Sequence, residues 1–196
     1  MNDRFTPVLV TAPAAEPLTL AEAKLHLKLD VTADDDLITS LIVAARQHVE
    51  TVTGRALVTQ TWDIKYDEFP RELDAPIMLP KPPIASVTSV KYLDAAGVEQ
   101  TWSSANYITD LPSGAWAGFG RIRPGMSTAY PATYAVINAV TVRIVCGYGA
   151  AAAVPDGLKA AMKILIGHWY VNRGDSDAEP PAAVVALLGG FRVWAC

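Results

Sequence analysis

Between Leu158 and Tyr170 apolar residues return every third or fourth position: Leu158, Ala161, Met162, Leu165, Ile166, Trp169 and Tyr170. That spacing lines one face of an α-helix and predicts one from Pro155 to Arg173. Pro155 is tolerated at a first helical position, Asp156 suits the positive end, and Arg173 followed by Gly174 suits the other. Burying Leu158, Met162, Leu165, Ile166 and Trp169, at roughly 1.5 to 3 kcal/mol each, makes this stretch the centre of the core.

Two shorter helices precede it. Thr19 with Glu22 forms a capping box that opens a helix through about Leu27. Leu20, Ala23 and Leu27 fall on one side of it, Ala21 and Leu25 on another, and both sides are expected to be covered; Lys24 and Lys28 are expected to reach water. The second helix runs from about Asp34 to Thr53. Asp34, Asp35 and Asp36 suit its positive end, Leu37, Ile38, Leu41, Ile42, Ala45, Val49 and Val52 form its apolar face, and Gly54 stops it.

From Ala56 to Val145 the period changes to two. Val58, Gln60, Trp62, Ile64 and Tyr66 share one side of a strand, and Ile77 to Leu79 is a short one ended by Pro80. Val87 to Tyr92 and Val98 to Trp102 read as a hairpin around Asp94-Ala95-Ala96-Gly97. Asn106 to Ile108 and Arg121 to Ile122 are shorter candidates, and Asn138 to Val145 alternates through Val140, Val142 and Ile144. Leu111 to Ile137, rich in Gly, Pro, Ser and aromatics, reads mostly as long loops.

The ends differ from the middle. Residues 1–17 are Pro- and Ala-rich without a period, an extended arm expected to lie on something else. Asp175 to Pro181 is an acidic linker, Ala182 to Leu188 a short apolar helix, and Gly189-Gly190 a flexible joint before Phe191-Arg192-Val193-Trp194. Such a tail either folds back onto the core or inserts into another chain. The expected organisation is α+β: an arm (1–17), a small helical bundle of two N-terminal helices and the long C-terminal one (18–55 and 155–174), a β-rich insertion (56–150), and an extended C-terminal tail (175–196).

Composition narrows the function. The 196 residues are enough to bury one real core. No run approaches the roughly 18 apolar residues of a membrane span, and no secretory signal is visible at the N-terminus, so the chain is expected in the cytoplasm and off the membrane. Cys146 and Cys196 make neither a disulfide framework nor a metal site and are expected to be unbridged thiols. A net charge of −4 argues against a protein whose work is gripping phosphate backbones.

Candidate chemistry is sparse. Gly147-Tyr148-Gly149-Ala150-Ala151-Ala152 has the form of a dinucleotide fingerprint but lacks the following strand and its acidic residue, so a tight strand-to-helix turn accounts for it better. The run Asp34-Asp35-Asp36 lacks the alternate spacing and Gly of a calcium loop. His26, His48 and His168 lie on separate predicted helices with no catalytic or zinc spacing between them. Glu68 and Glu72 have no acid placed opposite them. Arg121 and Arg123 share a strand face that could meet phosphate, with a surface salt bridge as the simpler reading. No catalytic, cofactor or metal residue is assigned.

Taken in order, the pieces resemble the head-tail adaptor (connector) proteins of long-tailed phages, prophages and related gene transfer agents. The resemblance is carried by Leu18 to Lys24, Asp36-Leu37-Ile38, Thr53-Gly54-Arg55-Ala56-Leu57, Gln60-Thr61-Trp62, Leu79-Pro80 to Tyr92, Asn138 to Val142, Gly147-Tyr148-Gly149 and His168-Trp169-Tyr170. It implies a non-enzymatic homo-oligomeric ring, usually of twelve copies, seated beneath a portal protein and joined to a stopper or tail-completion protein, with DNA passing through without specific binding. It also implies portal contact through the terminal segment, for which Phe191, Val193 and Trp194 are the candidates. Two other classes share these features in part: a stopper or tail-completion virion protein, and a small ligand-binding α+β domain.

Overall fold

A computed structural model of the chain describes residues 5–72, 75–173 and 179–193. It is a mixed α+β structure of two compact units, Met1–Ala12 with Thr59–Gly147, and Pro13–Val58 with Tyr148–Cys196. No helix among the described residues is long and apolar enough to cross a membrane.

Among the described residues the first unit holds eight strands: β1 (Phe5–Thr11), β2 (Gln60–Tyr66), β3 (Ile77–Leu79), β4 (Ile84–Leu93), β5 (Glu99–Trp102), β6 (Tyr107–Asp110), β7 (Gly120–Pro124) and β8 (Val140–Cys146). They form a five-stranded sheet in the order β1-β2-β8-β4-β5 and a three-stranded sheet in the order β3-β7-β6, every pairing antiparallel. The period-two pattern has its cause in the central strands: Ile64, Val90, Val142 and Ile144 are fully buried, while Asp63 and Arg143 pair across the opposite face at 2.7 Å. Phe69, Tyr92, Trp102, Tyr107 and Tyr130 add an aromatic cluster with ring centroids 5.0 to 5.7 Å apart. One of its phenols is held by main chain: Tyr130 Oη donates to the Ala75 carbonyl at 2.8 Å, and burial pushes its pKa up to about 12. Tyr66 Oη donates to the Met78 carbonyl at 2.6 Å, which ties β2 to β3.

The second unit holds α1 (Leu20–Leu27), α2 (Asp35–Thr53), α3 (Asp156–Val171) and α4 (Ala182–Gly189). Helix α3 packs against each of the other three. Its Leu158, Ala161, Met162, Leu165 and Ile166 are fully buried, as their spacing predicts. The capping box of α1 is present: the Glu22 amide donates to Thr19 Oγ1 at 3.2 Å and the Thr19 amide to Glu22 Oε2 at 2.8 Å.

Several sequence expectations change. The aperiodic segment at the N-terminus supplies β1, an edge strand of the larger sheet, because Phe5 to Thr11 pair along β2. Leu25 is 80% exposed, so the second side of α1 is not covered. On α2 the buried stripe is Ile38, Ile42, Ala45, Arg46, Val49 and Thr53, and Val52 is exposed. Arg46 can occupy that stripe because Glu16 and Glu50 accept from it at 2.7 and 2.9 Å. Lys24 does not reach for water; it pairs with Asp35 at 2.6 Å. Asp34 makes no capping bond through its side chain and instead accepts from the Tyr170 hydroxyl and from Arg173. The strand candidate at Arg121 to Ile122 is present and longer than expected, as β7 at the centre of the smaller sheet.

Candidate functional site

The C-terminal segment is folded onto its own unit at a defined seat. Gly189 ends α4, and Gly190 continues the turn in right-handed geometry at φ −70°, so the pair forms a turn and not a loose joint. The Phe191 amide donates to the Leu188 carbonyl at 2.9 Å. Phe191 is then only 8% exposed, with its ring against Gly157 at the start of α3, where a Cβ would lie 3.0 Å from Cε2.

Residues just past α2 form the other wall. Gly54 stops that helix at φ +71°, a left-handed conformation that glycine adopts without strain. Arg55 follows, 3% exposed, and its Nε donates to the Phe191 carbonyl at 2.6 Å. Its Nη1 is buried without a hydrogen-bond partner among the described residues. Burial pushes the nearby Tyr148 hydroxyl above its ordinary pKa, and the Arg55 charge opposes that shift. Two residues along the tail, the Val193 amide donates to the Thr53 carbonyl at 2.9 Å. Two backbone groups of Phe191 and Val193 are therefore bound to the Thr53-Gly54-Arg55 corner. Trp194, the third candidate, lies outside the described residues.

The other candidates stay dispersed. His48 packs edge-on against Trp169, with ring centroids 5.8 Å apart. His168 Nδ1 lies 3.2 Å from the Asn172 side-chain amide, and its Nε2 is buried without a hydrogen-bond partner among the described residues. His26 lies beside Gly167. Among the described residues no group of three His, Cys, Asp or Glu could hold a metal ion. Glu68 pairs with Arg71 at 3.1 Å, and Glu72 is exposed. Arg121 pairs with Asp110 across β6 and β7, and both line an open groove with Arg123 and Ile108. Gly147 and Gly149, both at φ +113°, turn the chain from β8 into a short 3-10 turn at Ala151–Ala153 ahead of α3. Main-chain bonds hold that turn, from Gly147 N to Pro83 O and from Tyr148 N to Leu57 O.

Residues 17–96 match the family described as phage gp6-like head-tail connector protein. Over those residues the chain is similar to head-tail connector proteins. Beyond that match, the likeness to solved structures spans nearly the whole chain. One is a chain of the virion of a native gene transfer agent particle, 26% identical, with a TM-score of 0.80 over 97% of this chain and 96% of that one. Two others are chains of the neck of an empty particle with C6 symmetry and of a native particle with C12 symmetry, each 26% identical over 97% of both chains, with TM-scores of 0.79 and 0.77. No curated protein matches this chain.

Arg55 carried no chemical signal in the sequence. A cation directly after a helix-stopping Gly, with no acid within a turn of it, was the only trace of a buried guanidinium waiting for a carbonyl.

Proposed function

We propose that this protein is a head-tail adaptor: a ring beneath the portal that links the DNA-filled capsid to the tail. The observation that carries this is the whole-length likeness, at 26% identity, to chains from the virion and neck of gene transfer agent particles. The C12 symmetry of one of those necks supports a ring of twelve copies. The role is structural and involves no catalysis. The portal protein lies on one side of the ring and a stopper or tail-completion protein on the other.

DNA passes through without specific binding. The net charge of −4 supports this, because a wall that released few counterions would not hold phosphate tightly. The four helices act as a bundle that carries the C-terminal segment, and Phe191, Val193 and Trp194 make the portal contact. Phe191 and Val193 are held by Arg55 and Thr53 in the protomer, so this contact requires either that the seat itself meets the portal or that the segment leaves it.

Negative-stain imaging of the purified chain with its own portal oligomer tests the adaptor role. An added ring layer on the portal is the expected result; free portal beside unbound chain at high concentrations of both overturns it. Deleting residues 190–196 should abolish the layer, and unchanged portal binding would remove the C-terminal contact from the proposal.

A further inference from the structure

Strand β1 is uncovered on both faces. All seven of its residues are exposed, among them Phe5, Val8, Leu9 and Val10 at 38 to 45%. The segment Phe5 to Thr11 carries no charged residue. Its register sets Phe5, Pro7 and Leu9 opposite Tyr66, Ile64 and Trp62. Side chains alternate across a sheet, so these three continue the face on which Ile64 and Tyr66 are buried. The apolar face of the sheet therefore runs past its cover and ends in the open on β1.

An apolar, uncharged edge strand is a template for uncontrolled association, and proteins blunt such edges. Here Pro7 lacks an amide, and a bulge between Leu9 and Thr11 interrupts the ladder. Both features oppose continued main-chain pairing and leave side-chain packing as the means of cover. The absence of Lys and Arg from β1 removes phosphate as the occupant.

We infer that the uncovered edge of β1, with Phe5 and Leu9 on one face and Val8 on the other, packs against a neighbouring copy of the same chain, forming one half of the contact that closes the ring. This rests on the adaptor reading, for which chains of like fold occur in necks of C6 and C12 symmetry. A ring closed by rotation gives every copy two like neighbours, joined through two different surfaces. β1 supplies one, and the neighbour meets it with a surface other than its own β1.

The test compares full-length wild type with Leu9→Glu and Val10→Glu on the portal oligomer, imaged by negative stain and weighed by native mass spectrometry. Both positions are exposed in the protomer, so thermal unfolding of the variants should match wild type. Wild type should close a full layer, whereas the variants should show at least tenfold weaker assembly and no closed ring. A photo-crosslinking side chain at position 9, activated in the assembled layer, should join copies of this chain to one another. Closed rings at wild-type occupancy from both variants, or crosslinks from position 9 to the portal alone, overturn the inference while leaving the adaptor role standing. Failure of wild type itself to add a layer overturns the adaptor role, and this inference with it.

Discussion

Arg55 Nε donates to the carbonyl oxygen of Phe191 at 2.6 Å, across 136 positions of sequence. The bond joins the corner after α2 to the turn after α4, and it is made by a guanidinium with almost no access to water. A hydrogen bond from a charged donor contributes about 1.5 to 3 kcal/mol, and the stabilisation here is local to the tail.

Replacing Arg55 with Met keeps much of the volume and removes the donor. Hydrogen exchange at the Val193 amide, bonded to the Thr53 carbonyl, should accelerate at least tenfold in Arg55→Met. Exchange within α3 should change much less, because the helix core does not depend on this bond. Equal protection of Val193 in both proteins would mean that the tail is held by Phe191 packing alone.

Gly157 and Gly189 should respond in opposite directions. A side chain at Gly157 meets the Phe191 ring at 3.0 and 3.3 Å, so Gly157→Val should expel the ring and expose the C-terminal segment to limited proteolysis. Nothing lies within 4 Å of the Cβ position of Gly189, and Gly189→Ala should stabilise by up to about 1 kcal/mol through helix propensity. Chemical denaturation of both variants checks the signs.

Asp34 links acid sensitivity to the far end of α3. The Tyr170 hydroxyl, and then Arg173, hold its carboxyl below the ordinary value of 3.8. A carboxyl depressed on folding adds stability that is fully present above its unfolded pKa and is lost as pH falls through the folded one. Tyr170→Phe should raise the Asp34 pKa in an NMR titration. The stability gap between the two proteins should be constant near neutral pH and narrow below about pH 4. Asp63, depressed by its bond from Arg143, should lose stabilisation in the same direction.

The two leucines Leu165 and Leu25 separate core from surface. Leu165→Ala should cost about 2 to 5 kcal/mol, since the side chain is fully buried in α3. Leu25→Ala, at a position 80% exposed, should stay within about 0.5 kcal/mol of wild type. Urea denaturation midpoints at constant slope give both values.

Elements whose cause is local could be read directly from the order of residues. The 3.6-residue spacing from Leu158 to Ile166 and the Thr19–Glu22 box specify helices without help from distant residues. The same holds for the left-handed stop at Gly54 and the alternation of Val140, Val142 and Ile144, because cap, turn and period are properties of neighbours in the chain. The order of those pieces was also enough to point to head-tail connectors.

Features that depend on partners far away in sequence became visible only in the folded chain. Phe5 to Thr11 has no period of its own and becomes a strand because β2 offers its edge. Arg46 enters a buried stripe because Glu16 and Glu50 neutralise it, and Asp34 leaves its capping role because Tyr170 and Arg173 bind it more directly. Phe191 and Val193 are seated and not loose because the corner at Thr53 to Arg55 supplies one acceptor and one donor. Each of these outcomes is a competition between water and a group brought near by folding, and a linear pattern does not contain the distance that settles it.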